Sequence, residues 1–316
     1  MKEIIKTSRF RSRDLTRKYG ILMVLLLLCI IMAITSPTFR TAQNVINILR
    51  QVSVNGIIAI GMTFVIMTGG IDLTVGSLFA VAGVVCGSIL VRNPSNVLFA
   101  ITASLAICAV FGVMNGFFVS RMNVPAFVAT LAAQTMARGF AYVYSDGKPY
   151  TLASPLFSKI GKGYVPIVIF AAILLVSFVV LSKTKFGRYI YAVGGNPKAA
   201  NASGVHVSRI LMKVYIYSAV LAGIAGIVLA SRTNAGQPAV GIGYETDAIA
   251  SAVIGGTSMT GGIGTVGGTF IGILIIGVLN NGLNLLDVSS YWQQIIKGII
   301  ILGAVCFDLH SKSSTK

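Results

Sequence analysis

The sequence predicts an all-α polytopic membrane protein of about ten transmembrane helices. Hydrophobic residues make up 55% of the 316 residues and 35 glycines bring the apolar share to about two thirds, against roughly 45–50% in a soluble domain. Charged residues are only 10%, too few to cover a water-exposed globule of this size. The length has room for about ten spans of roughly 20 apolar residues with short connections. Together these exclude a soluble enzyme, a disordered chain and a collagen-like fibre.

Apolar runs bounded by turns and charges place the spans at 19–36, 46–68, 74–91, 96–120, 124–144, 164–182, 209–231, 247–260, 265–285 and 292–309. The first follows Lys2, Lys6, Arg9, Arg11, Arg13, Arg17 and Lys18. That resembles the front of a secretory signal, but no small-residue cleavage site follows, so it reads as an uncleaved helix. Only Gly69-Gly70-Ile71-Asp72-Leu73 separates the second span from the third, and the eighth is short and glycine-rich. The positive-inside rule puts both termini in the cytoplasm. With ten spans, 16 of the 25 Lys and Arg then face inward, including Lys183, Lys185, Arg188 and Lys198 after span six. The net charge of +17 is therefore an orientation signal, and nucleic acid is not needed to explain it. The resulting division is a basic cytoplasmic segment 1–18, a transmembrane domain 19–309 with a cytoplasmic loop at 183–208, and a cytoplasmic tail 310–316. Tyr291 and Trp292 fit an aromatic belt at the outward end of span ten.

The chain echoes itself weakly. Ala59 to Gly76 and Ala248 to Gly267 share an apolar approach, a Gly-Gly pair, a hydroxyl-bearing turn and a second apolar run. Six spans separate them, so both copies run the same way across the membrane, a parallel repeat of a kind found in transporters; chance likeness of glycine-rich segments is the alternative. Small residues four apart, at Gly264, Gly268 and Gly272, at Gly112 and Gly116, and at Ala219 and Gly223, form ridges that let helix backbones approach.

The material for catalysis is thin. No G-x-x-x-x-G-K-[ST] frame occurs, and Ile160-Gly161-Lys162-Gly163 lacks it. Two histidines cannot build a zinc site or a triad, so neither metal nor cofactor is expected. Cys29, Cys86, Cys108 and Cys306 lie singly in apolar runs, as small packing residues do. None of the acids Glu3, Asp14, Asp72, Asp146, Glu245, Asp247, Asp287 and Asp308 is expected mid-span beside a partner, and Arg138 and Lys297, inside apolar segments, either lie near the midplane or snorkel to an interface. Ion-driven carriers hold ionisable groups near the midplane, so the energy is expected from a partner protein. A secondary carrier or facilitator working without an ATPase is the alternative.

The loop after span six spells a short helix outside the membrane. Asn196 is a good N-cap, Pro197 a good first residue and Gly204 a stop. Between them runs Lys198 to Ser203, whose small side chains Ala199, Ala200, Ala202 and Ser203 would give a smooth face for a groove in another protein, or merely a connector.

The stretch Gly187 to Val205 (GRYIYAVGGNPKAANASGV), with Thr68 to Ser77 (TGGIDLTVGS), Gly243 to Ala250 (GYETDAIA), Gly255 to Gly262 (GGTSMTGG) and Leu279 to Leu286 (LNNGLNLL), resembles the sugar-importer permeases of bacterial ABC transporters, over about residues 20–309. The resemblance implies a type II-like permease in the bacterial inner membrane, working as a homodimer with an ABC ATPase subunit and a periplasmic sugar-binding protein. It implies a small sugar substrate, a pentose with ribose ahead of others. It also maps ATPase coupling onto Asn196, Pro197, Lys198, Ala199, Ala200, Ser203 and Gly204. This chain has Lys198-Ala199-Ala200 where some related permeases have Glu-Ala-Ala, so an acidic contact is not implied there.

Gly69, Gly70, Gly255 and Gly256 mark candidate helix breaks or gates. Asp72 reads first as a cap for the next helix and second as a gate contact. Glu245 and Asp247, at the outward entry of span eight, read equally as a contact for the binding protein or as acids favouring a helix dipole.

Overall fold

The computed structural model describes residues 20–313; the basic segment 1–18 and the end of the tail lie outside the described residues. In chain order the helices are α1 (Gly20–Thr35), α2 (Ala42–Met67), α3 (Val75–Arg92), α4 (Val97–Ser120), α5 (Ala126–Ser145), the short α6 (Pro155–Ser158), α7 (Val165–Lys183), α8 (Lys185–Gly195), α9 (Pro197–Ala202), α10 (Val207–Thr233), α11 (Tyr244–Ile254), α12 (Val266–Leu285) and α13 (Ser290–Ser313). A two-residue antiparallel ribbon, β1 (Tyr150–Thr151) with β2 (Ala235–Gly236), joins two loops.

A helix stands at each of the ten expected segments, and among the described residues six helices, namely α2, α3, α4, α7, α10 and α12, are long and apolar enough to cross a bilayer by length and composition. Six of the ten expected spans meet that measure, and the other four are helical segments. The reasons are local. Helix α5 has 20 residues but carries Gln134, Thr135 and Arg138. Helix α11 has 11, about 16 Å at 1.5 Å per residue, half a hydrocarbon core. It ends at Gly255, where Gly256 turns the chain at φ +90°, and the carbonyl of Gly268 occupies the space that a side chain on Gly255 would take.

Helix α10 lies at the centre, against α2, α3 and α4. The small-residue ridges explain the closeness: a Cβ on Gly112 would strike Ala219 and Ile216, and one on Gly116 would strike Met212. Cys86 and Cys108 are buried in the same core. By contrast α4 and α7 are apolar all round and mostly exposed, the pattern of lipid-facing helices. Tyr291 and Trp292 are exposed at the start of α13.

Contacts fix helix directions. Gly61 and Phe64 meet Ser218 and Tyr217, so α2 opposes α10. Phe79 and Gly83 meet Gly226 and Ala230, so α3 runs with α10. Thr63 meets Thr269 and Asn44 meets Asn281, so α12 opposes α2. Ser251 and Gly255 meet Gly272 and Gly268, so α11 opposes α12. Both echoed helix pairs therefore run the same way, as the repeat requires. They differ in packing: α11 and α12 touch directly, whereas α10 intervenes between α2 and α3.

Candidate functional site

The first break spans residues 68–74, between α2 and α3. Gly69 turns the chain at φ +80°, a left-handed conformation suited to glycine, and Gly70 lies under the buried Tyr215 ring, where a side chain would strike the hydroxyl. Asp72 is fully buried. Its Oδ1 accepts the Thr74 backbone N–H at 3.1 Å and the Thr74 hydroxyl, and its Oδ2 accepts the Ser218 hydroxyl at 2.8 Å. This is an Asx turn ahead of α3. The expected cap is thus corrected, because Thr74 holds the N-cap position.

Asn115 Nδ2 donates to Thr74 Oγ1 at 3.1 Å and Thr130 Oγ1 to the Ile71 carbonyl at 3.2 Å. Asn115 precedes the end of α4 by about 8 Å and Ser218 follows the start of α10 by about 17 Å, at 1.5 Å per residue. Asp72 is therefore recessed within the bundle.

The second acidic region corrects the outward position expected for Glu245 and Asp247. After β2 the chain runs back along α3: Gly236 packs beside Gly83, Gly241 beside Gly76, and α11 begins only there. Glu245 and Asp247 are buried and offer no exposed contact to a binding protein. Glu245 Oε1 accepts the Gly243 N–H at 3.2 Å, and both acids sit in the first turn of α11, where the helix dipole favours them.

Neither basic residue snorkels. Arg138 donates Nη1 to the carbonyls of Pro238 (2.6 Å) and Val240 (2.7 Å) and Nη2 to that of Gly76 (3.1 Å), stapling α5 to the returning chain and to α3. Lys297 Nζ lies 3.0 Å from Asp247 Oδ2, which also accepts Asn280 Nδ2 at 3.3 Å. The expectation that the acids lack partners fails because those partners come from distant helices.

The asparagines of the 279–286 segment acquire roles that the sequence did not disclose. Asn280 meets Asp247, Asn281 exchanges paired amide bonds of 3.0 and 2.9 Å with Asn44, and Asn284 accepts from Gln293 at 2.8 Å.

The second break, 255–265, has Gly256, Gly261 and Gly262 at positive φ. It meets the first break and the loop at 183–208 at one junction. Gly262 N–H donates to the Met67 carbonyl at 2.9 Å. A Cβ on Gly194 would run into Met67 O and Gly262 N, and one on Gly261 into Gly194 O and Gly69 N. Tyr191 adds a hydrogen bond of 2.7 Å to the Gly264 carbonyl.

The loop at 183–208 holds two helices where one was expected. Thr184 caps α8 by accepting the Gly187 N–H, and Gly187, Ile190 and Val193 bury one face; that cap and the Phe186, Ile190 and Val193 spacing were the available signals. The expected helix is α9. Asn196 Oδ1 accepts the Ala199 N–H at 3.0 Å, and Val205 N to Ala200 O with Gly204 N to Asn201 O, both 3.0 Å, close its end in a Schellman motif with Gly204 at φ +84°. Ala200 is buried against the chain itself, which corrects its place on the presented face; Pro197, Lys198, Ala199, Ala202 and Ser203 are exposed.

Comparison with known proteins agrees with this architecture. Residues 44–305 match the family described as branched-chain amino acid transport system/permease component. The chain is 44% identical to a ribose import permease protein of Haemophilus influenzae over 96% of both chains. It is 46% identical to one of Bacillus subtilis over 95% of both. It is also 36% identical to an L-arabinose transport system permease protein of Escherichia coli, over 98% of this chain and 95% of the other. No solved structure matches. The chain is a multi-pass membrane protein and belongs to the branched-chain amino acid transport system/permease component family.

Proposed function

We propose that this chain is the transmembrane subunit of an ATP-driven ribose importer. It passes sugar from a periplasmic binding protein to the cytoplasm by alternating access, as a homodimer with a separate ATPase subunit. In this reading the ten helical segments all serve as spans or partial spans and both termini are cytoplasmic. The observation that carries it is the 44% identity to a ribose import permease over 96% of the chain, above the 36% to an arabinose counterpart. The scarcity of midspan acids no longer argues for an external energy source, since Asp72 and Asp247 are buried in the bundle; family membership now carries that point.

Purified with its ATPase and binding protein, the chain should form particles containing two copies and show ribose-stimulated ATP hydrolysis with ribose uptake into vesicles. Concentrative uptake by this chain alone would overturn the reading. Coupling is assigned to α9, which is capped at both ends and presents small exposed side chains. In the same particles Ala199→Glu should lower ribose-stimulated hydrolysis about tenfold, as loss of roughly 1.4 kcal/mol of docking energy would, with insertion unchanged. Unaltered hydrolysis would remove α9 from the contact.

A further inference from the structure

A cleft opens between α3, α5 and the start of α11. Ser77 at the start of α3, Gln134, Thr135, Arg138, Gly139 and Tyr142 along α5, and Ile242 with Glu245 at the start of α11 line a space of about 570 Å³. Arg138 is twelve residues into the 20-residue α5, about 18 Å along it, so the cleft lies at intermediate depth in the bundle. Gly139 adds room: a Cβ there would meet nothing within 4 Å.

Its chemistry is specific. Ser77 Oγ and Glu245 Oε2 are buried and lack a hydrogen-bond partner, and such groups are costly unless something fills the site. Glu245 Oε2 and the Arg138 guanidinium both lie against Gly76, so the cleft holds one acid and one base, and a neutral solute enters without adding a charge to them. Hydroxyl and amide groups donate and accept while the carboxylate accepts, as a polyol requires, and the Tyr142 ring offers a flat apolar face. An apolar amino acid would find only Ile242 and the Tyr142 ring for its side chain.

We propose that this cleft is a sugar-contact site on the translocation path, with Ser77, Gln134 and Glu245 bonding sugar hydroxyls and Arg138 acting as a positioning residue. This rests on the sugar-import reading and goes beyond it by naming the contact residues and the neutral polyhydroxyl class.

The test uses the complete transporter in vesicles, with ribose and leucine as probes. The wild type should import ribose and not leucine. Thr135→Trp, at an exposed position, should fill the cleft and lower ribose import by about tenfold or more. Gln134→Leu and Ser77→Ala should each lower it about five- to tenfold, the scale of one lost hydrogen bond. All three should still assemble with the ATPase and the binding protein into the same particles, which a misfolded permease would not do. A wild type that imports ribose while Thr135→Trp and Gln134→Leu import it at the same rate would overturn the cleft assignment alone. A wild type that imports no ribose, or prefers leucine, would overturn the sugar reading, and the cleft assignment with it.

Discussion

Asp72 and Asp247 are both buried carboxylates beside an interruption between helices, yet their surroundings are opposite in kind. Around Asp72 the donors are neutral, two from Thr74 and one from Ser218. Asp247 meets the ammonium of Lys297 and the amide of Asn280. The first site is short-range in its turn and reaches one other helix. The second ties the last helix of the chain to the short α11, which has only 11 residues with which to hold itself. A buried acid can thus be held by dipoles where the backbone supplies them at once, and needs a counter-charge where a helix must be fastened from outside.

The comparison is most exposed to attack at Lys297. Lys297→Met would leave Asp247 buried without its counter-charge, a loss of about 3 kcal/mol or more. The thermal unfolding midpoint of the detergent-solubilised protein should fall, and the double variant Lys297→Met with Asp247→Asn should recover most of it. No recovery would mean that the lysine acts by packing. A smaller effect is expected at the first site, where Asp72→Asn keeps an acceptor for the Thr74 N–H and should cost about 1 kcal/mol. Combining it with Ser218→Ala should be less than additive, because both remove the same bond. Equal losses in Asp72→Asn and Lys297→Met, measured side by side, would erase the distinction between the two sites.

Legibility divides along the same line. The caps of α9, Asn196 and Gly204, depend on residues within a few positions of each other, and the sequence disclosed them fully. The glycine ridges were equally legible as surfaces, since spacing alone defines them, although not which ridge met which. The acids were misread because their partners are remote: Ser218 lies 146 residues from Asp72 and Lys297 lies 50 from Asp247. No local pattern announces such a pair. Glu245 and Asp247 were placed outward for a related reason, since the sequence counts spans and does not show that residues 237–243 return along α3 before α11 begins.

The junction at Met67, Gly194 and Gly262 has a mechanical consequence. Side chains in contact can change rotamer and absorb a displacement, but here three stretches of main chain touch, one of them through a hydrogen bond of 2.9 Å, and peptide planes are stiff. No side chain separates the three stretches, so α8 cannot approach Met67 or Gly262 without main chain meeting main chain, and any displacement of α8 in that direction bears on both helix breaks at once.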